Sequence, residues 1–416
     1  MPFAYHGGVL CAEEVSLEEI ARRFGTPCYV YSRAAIERNF GAFARALAGR
    51  PALIAYSVKA NSNLSVLALI GRLGAGFDIV SGGELARVLA AGGDPRKVVF
   101  SGVGKTEAEI EQALRIGILC LNLESEAELE RVDAIAARLG VRAPIAFRVN
   151  PDVDAKTHPY ISTGLKQSKF GVAYGDAERL YRDAARRSNI DLVGIGCHIG
   201  SMMTDAAPYA AAAERIVALV GRLESTGIRL SHIDLGGGIG IRYRDESPAP
   251  IAEFVRGALA ALGTRAETLV VDPGRAIVGE AGLLLTRIEY VKPGESKNFV
   301  VVDAAMNDLI RPALYDAWHE VRQVRETELD AAAGVYDIVG PVCESADFLA
   351  HERKLTVRPG GLLAVMSAGA YGMVMSSNYN TRPRPAEVMV SGTEASLVRE
   401  RESVDQLFAA ERALLL

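Results

Sequence analysis

Leu53-Ile54-Ala55-Tyr56-Ser57-Val58-Lys59-Ala60-Asn61 is an apolar run of strand length that stops on an amine. A short apolar run bounded by polar positions suits a strand buried on both faces. Seven more such runs follow, at 76–80, 97–101, 118–123, 145–149, 192–198, 232–235 and 268–271, with amphipathic stretches such as 84–91, 107–116, 126–139 and 207–224 between them. Short apolar runs alternating with longer amphipathic segments are the pattern of βα units and a parallel sheet. Eight units match the (β/α)8 barrel, which takes about 250 residues. The expected fold class is α/β, with a (β/α)8 TIM barrel over 34–278.

The barrel leaves sequence over at both ends. After Gly279 the texture changes to Gly- and Pro-punctuated β-like segments, among them 299–303, 336–339, 362–366 and 387–390, which predict a second, mostly β C-terminal domain over 279–416. The strand-like run 28–31, just after Pro27, precedes the barrel. The N-terminal segment 1–33 is therefore expected to pair with the β domain, so that the two ends of the chain meet there.

Of the 416 residues, 49% are hydrophobic and only 23% charged, which describes a globular chain able to bury a large core rather than a disordered one. Net charge is −5 and the basic residues are scattered, so no nucleic-acid footprint is present. Cys11, Cys28, Cys120, Cys197 and Cys343 are odd in number and widely spaced. They argue against a disulfide framework and a zinc ribbon, and no metal is expected. The N-terminus lacks a signal-peptide pattern, and no apolar run reaches the roughly 18 residues of a membrane span. A cytoplasmic protein with small-molecule partners is the expectation.

In a barrel of this kind the active-site groups sit where strands end and βα loops begin. The first run ends in Lys59, the sixth in His198-Ile199-Gly200-Ser201, the seventh in Gly236-Gly237-Gly238 and the eighth in Asp272-Pro273-Gly274-Arg275. Each alone has an ordinary explanation: a solvated lysine, a hydrogen-bonded structural histidine, a tight glycine turn. Together they bring an amine, an imidazole, backbone N–H groups that can nest an anion and a carboxylate to one mouth. Pyridoxal phosphate requires those four types: an amine for its aldehyde, N–H donors for its phosphate, a flat partner for its ring and a carboxylate for its ring nitrogen.

Further motifs make the reading specific. They are His158-Pro159-Tyr160-Ile161-Ser162-Thr163-Gly164 continuing to Ser168-Lys169-Phe170-Gly171, then Asp234-Leu235-Gly236-Gly237-Gly238, Arg311-Pro312-Ala313-Leu314-Tyr315, Gly340-Pro341-Val342-Cys343-Glu344-Ser345 and Gly369-Ala370-Tyr371. Through them the chain resembles, over nearly its whole length, the diaminopimelate decarboxylase family of alanine-racemase-like, fold-type III pyridoxal-phosphate enzymes. The Lys59 and triglycine motifs are shared with ornithine and arginine decarboxylase relatives, whereas 158–171 and 311–315 point to the diaminopimelate enzymes.

The resemblance implies decarboxylation of meso-2,6-diaminopimelate to L-lysine and carbon dioxide, the last step of lysine biosynthesis, with pyridoxal 5′-phosphate as cofactor. It implies Lys59 as the amine that carries the cofactor and His198 stacked on the ring. It implies Ser201 and Gly236, Gly237 and Gly238 at the phosphate, and the segment Asp272, Pro273, Gly274 and Arg275 supplying the ring-nitrogen carboxylate and contacts to phosphate or substrate. Arg311, Tyr315 and Glu344 would read the distal end of the substrate, Cys343 would be the proton donor, and Tyr371 a cofactor contact. A homodimer whose subunits share active sites is also implied, Cys343 and Glu344 coming from the partner chain.

One departure stands out: the family pattern has Glu where this chain has Asp272, which keeps the charge but withdraws it by about one methylene. The Met202-Met203 pair after Ser201 reads as lid packing. Competing readings are a decarboxylase of another basic amino acid or of carboxynorspermidine, a racemase, and a non-catalytic regulator on the same scaffold. Arg311 favours a dicarboxylate over ornithine, and the retained Lys59, His198 and Cys343 speak against a regulator.

Overall fold

The computed structural model describes residues 2–154, 169–326, 332–412 and 414. They fold into two compact units, one formed by Asn39–Ile241 and Ser247–Ala276, the other by Met1–Arg38, Arg242–Glu246 and Ile277–Leu416.

The first unit is the barrel. Its strands Ala52–Ser57, Gly76–Ile79, Val98–Phe100, Cys120–Leu123, Ala143–Asn150, Ile190–Gly196, His232–Asp234 and Thr268–Val271 pair in parallel, each with the next in sequence. Thr268–Val271 then pairs with Ala52–Ser57 and closes the ring. All eight apolar runs read from the sequence are barrel strands. The helices between them have local reasons to start and stop where they do. Glu107–Ile116 begins at a capping box of Thr106 and Glu109 and ends at Gly117, whose φ of 76° only glycine adopts at no cost. Glu126–Leu139 is capped by Ser125 and carries Glu126 and Glu128 in its first turn, where acidic groups suit the helix dipole.

The second unit is mostly β. Its main sheet runs in the order Phe348–Val357, Ala332–Val339, Asn298–Val302, Gly282–Lys292, Cys28–Ser32, Ala386–Ser391, Glu394–Arg399. Cys28–Ser32, buried along its whole length, lies antiparallel to Gly282–Lys292 on one side and parallel to Ala386–Ser391 on the other. Ahead of it, Phe3–His6, Val9–Ala12 and Val15–Ser16 form a small antiparallel sheet, and the helix Leu17–Phe24 follows, capped by Ser16. That helix buries Leu17, Ile20 and Ala21, the i, i+3, i+4 face, in a core shared with Val30, Leu283, Leu285 and Val388. No described helix is long and apolar enough to cross a membrane.

Candidate active site

Each barrel strand ends with its last side chains at one rim, and polar groups collect there. Lys59 sits in the 3-10 turn Val58–Ala60 directly after the first strand. Its Nζ lies 3.3 Å from Oδ2 of Asp78, an aspartate in the second strand that is 1% exposed. Ser57 donates from Oγ to the Asp272 carbonyl at 2.9 Å and lies 3.3 Å from the same Asp78 oxygen. Gly274 brings the turn and the loop after the eighth strand into contact, since a Cβ there would meet Ala60 Cβ at 2.8 Å and Ser57 Cβ at 3.0 Å. The Pro273 carbonyl accepts from the Ser57 N–H at 3.2 Å. The amine and the Asp272 loop are thus held as one assembly.

Asp272 is 7% exposed, and its Oδ1 has no hydrogen-bond partner among the described residues. Burial, then the charge of Asp78, holds its carboxyl well above the usual carboxylate range. His198 follows the sixth strand, its Nδ1 3.7 Å from Asp272 Oδ1. Burial, reinforced by Arg148 and Lys59, pushes the imidazole down to about 3, so it is neutral at physiological pH and this contact is not an ion pair. The Gly237 N–H points at Nδ1 from 3.4 Å, which makes Nδ1 the acceptor and leaves the hydrogen on Nε2.

The glycine loop after the seventh strand is packed too tightly for side chains. A Cβ on Gly236 would meet the Cys197 carbonyl at 2.6 Å, and one on Gly237 or Gly238 would collide with the carbonyls of Asp272 and Gly200. The Gly236 N–H donates to Asp234 Oδ1 at 2.9 Å, while that of Gly238 has no partner among the described residues. Arg275 Nη2 reaches Ser201 Oγ at 3.4 Å. Met203 is buried, its N–H bonded to the Gly238 carbonyl at 2.9 Å, and so packs the glycine loop.

Lys59, His198, Ser201, Gly236, Gly237, Gly238, Asp272, Pro273, Gly274 and Arg275 therefore all lie on the segments that directly follow the strands, at one end of the barrel. Sequence reasoning left out Asp78 and Asn122 and gave no role to Asp234, quoted only as the start of the glycine motif; all three face the barrel interior. Asn122 Nδ2 lies 3.2 Å from Ser101 Oγ and 3.5 Å from Asp234 Oδ2. A polar residue inside a four-residue apolar strand, as in Gly76-Phe77-Asp78-Ile79, was the available signal. The motif at 158–164 and Ser168 lie outside the described residues. Where description resumes, Phe170 lies under the Arg148 guanidinium, 4.7 Å from ring centroid to Cζ, and the Gly171 N–H donates to buried Glu124 at 2.6 Å.

The β unit carries the remaining candidates. Arg311 and Tyr315 open and close the short helix Arg311–Tyr315, Arg311 buried and Tyr315 exposed. Cys343 and Glu344 lie on an exposed loop, the Cys343 N–H held by Asn380 Oδ1 at 2.8 Å. Tyr371 adopts a φ of 55° and is partly buried. Of the five cysteines, only Cys343 is exposed.

The family described as pyridoxal-dependent decarboxylase, pyridoxal binding domain, matches residues 33–279. Diaminopimelate decarboxylase of Pseudomonas aeruginosa is 58% identical over 99% of both chains, and that of Vibrio cholerae 55% over 98% of this chain and 97% of its own. The structure of diaminopimelate decarboxylase from Helicobacter pylori complexed with L-lysine superposes with a TM-score of 0.93 at 42% identity, covering 96% of this chain and 100% of that one. The enzyme of the same name from M. jannaschii gives 0.94 at 35% identity over 100% and 99%. With this identity sustained from end to end, the chain belongs to the diaminopimelate decarboxylase family of pyridoxal-dependent carboxy-lyases.

Proposed function

We infer that the chain decarboxylates meso-2,6-diaminopimelate to L-lysine and carbon dioxide in the cytoplasm, with pyridoxal 5′-phosphate as cofactor. The observation that carries the cofactor is the buried, unpartnered Oδ1 of Asp272. A carboxyl group so placed stays protonated unless a cation joins it, and a protonated pyridine nitrogen is such a cation. The neighbouring groups fit the rest of that molecule: the Lys59 amine for its aldehyde, the neutral His198 imidazole for a ring face, and Ser201 with the Gly238 N–H for its phosphate. Gly236 and Gly237 would let the loop approach closely, and Pro273, Gly274, Arg275 and Tyr371 would complete the contacts.

When bound, pyridoxal phosphate supplies the sink for the electron pair left behind as carbon dioxide departs. Asp272 would keep the ring nitrogen charged, and Asp78 would anchor Lys59 from beneath. Arg311 and Tyr315 would bind the distal carboxylate and Glu344 the distal ammonium, so that a substrate lacking either leaves a charged group unsatisfied. Orientation from that end decides which carboxylate is lost. Cys343 would then place a proton on the carbon that lost it.

The test is borohydride reduction of the purified protein followed by peptide mapping, with lysine production from meso-diaminopimelate measured alongside. A cofactor adduct on the Lys59 peptide and lysine formation are expected. Lysine made undiminished by a Lys59→Met variant would sink the assignment. We further infer a homodimer in which Cys343 and Glu344 serve the other subunit's site, a reading that the exposure of both residues in the single chain supports. Mixing inactive Lys59→Ala and Cys343→Ala subunits should restore part of the activity, whereas no recovery after verified subunit exchange would refute sharing.

A further inference from the structure

Behind Arg311 lies a histidine that the proposed chemistry leaves unused. His319 is 0% exposed and bridges two groups: its Nδ1 is 2.8 Å from the Met366 carbonyl oxygen, and its Nε2 is 3.0 Å from Arg311 Nη1. A carbonyl oxygen only accepts and a guanidinium only donates. Both contacts are satisfied at once by a single state, the neutral imidazole with its hydrogen on Nδ1 and its lone pair on Nε2 facing Arg311. Tyr243 completes the setting. Arg311 Cζ lies 4.7 Å from the centre of the Tyr243 ring, and that ring meets the His319 ring edge to face at 5.3 Å and 81°.

We infer that His319 is a positioning residue that fixes the Arg311 guanidinium for the distal carboxylate of the substrate. The inference rests on the proposed role of Arg311. An arginine side chain has several rotatable bonds, and recognition of a carboxylate by two parallel N–H bonds demands that its plane be set in advance. The Tyr243 ring holds the guanidinium from one side, and the bond to Nε2 fixes its rotation. A neutral acceptor orients the guanidinium without cancelling its charge, as a carboxylate in that place would. The carbonyl of Met366 in turn fixes the imidazole, so the chain of constraint runs from backbone to histidine to arginine to ligand.

Two substitutions separate the bonds. An asparagine amide reproduces Nδ1 and keeps the tie to Met366 while losing the acceptor for Arg311, whereas a glutamine amide reaches the Nε2 position. The probes are L-lysine, which retains the distal carboxylate, and 1,5-diaminopentane, which has none. Both are titrated calorimetrically into the cofactor-loaded enzyme. His319→Asn should weaken L-lysine about tenfold, the loss of one hydrogen bond to a charged group, and leave 1,5-diaminopentane unchanged, and His319→Gln should recover the L-lysine affinity. Equal losses for both probes, or undiminished L-lysine binding by His319→Asn, would overturn the inference. Arg311→Met tells the two levels apart. If it selectively loses L-lysine while His319→Asn does not, the positioning role alone fails, and if it too binds L-lysine normally, the role of Arg311 falls and the inference with it.

Discussion

His232, in the seventh barrel strand, is 4% exposed, and its Nε2 has no hydrogen-bond partner among the described residues because the ring is pressed against Gly194. Burial alone pushes this imidazole down to about 4. In the unfolded chain an ordinary histidine titrates near 6.5, so between these values the unfolded state binds the extra proton. Stability is then complete above about pH 6.5 and falls as the pH drops toward 4, by about 2 kcal/mol at pH 5. Urea unfolding at pH 7 and pH 5 should show that loss in the native protein and a smaller one in His232→Leu. An identical loss in the variant would mean that other groups govern the acid limb. At this scale the sequence was partly legible. Lys59, His198, the glycines and Asp272 stand at strand ends, where a barrel exposes its chemistry, so position alone pointed to them. Asp78 and Asn122 sit inside strands and look like lapses in an apolar pattern until the closed ring turns them inward.

At the scale of elements, the third and fourth βα units are joined by a buried ion pair. Lys105 Nζ donates to the carbonyls of Gly102 and Asn122 at 2.7 and 2.6 Å and to Glu128 Oε1 at 2.9 Å, which uses all three of its hydrogens. Glu128 also accepts from the Glu124 N–H, so the pair ties a loop, a strand end and a helix N-terminus together. Removing one partner leaves a buried charge without compensation. Lys105→Met should lower stability by about 3 kcal/mol, and adding Glu128→Gln, which keeps the acceptor but not the charge, should restore part of it. A melting temperature unmoved by Lys105→Met would show the pair to be dispensable. The capped helices Glu107–Ile116 and Glu126–Leu139 were legible to the residue because start and stop signals flank an amphipathic repeat. Gly282–Lys292, central to the β unit, was not. Its first five residues are buried on both faces, and such a run has no period to separate strand from helix. The opening hairpin was missed as well, although Gly7 and Gly8, with φ of 59° and 79°, form the glycine pair that a tight two-residue turn favours.

Across the whole molecule, the eight-stranded ring was legible because its units repeat along an unbroken stretch of sequence. The β unit was legible only as a texture, since its sheet is assembled from distant pieces whose pairing no local pattern encodes. A fragment spanning 277–416 lacks Cys28–Ser32, which hydrogen-bonds to strands on both sides. Expressed alone, that fragment should show no cooperative unfolding transition, and fusion of residues 1–38 to it through a flexible linker should restore one. A cooperatively folded fragment without them would show that the inserted strand is optional.

The same interleaving sets a timetable for biosynthesis. Cys28–Ser32 leaves the ribosome roughly 250 residues ahead of Gly282–Lys292, which at about 5–20 residues per second is a wait of roughly ten to fifty seconds. Through that interval Cys28-Tyr29-Val30-Tyr31 is a sticky ribbon with both edges bare, tethered to a barrel that can close only near its end, once Thr268–Val271 has emerged. Nascent chains stalled before residue 280 should therefore be the species that chaperones hold and that clump when the cell makes the protein too fast.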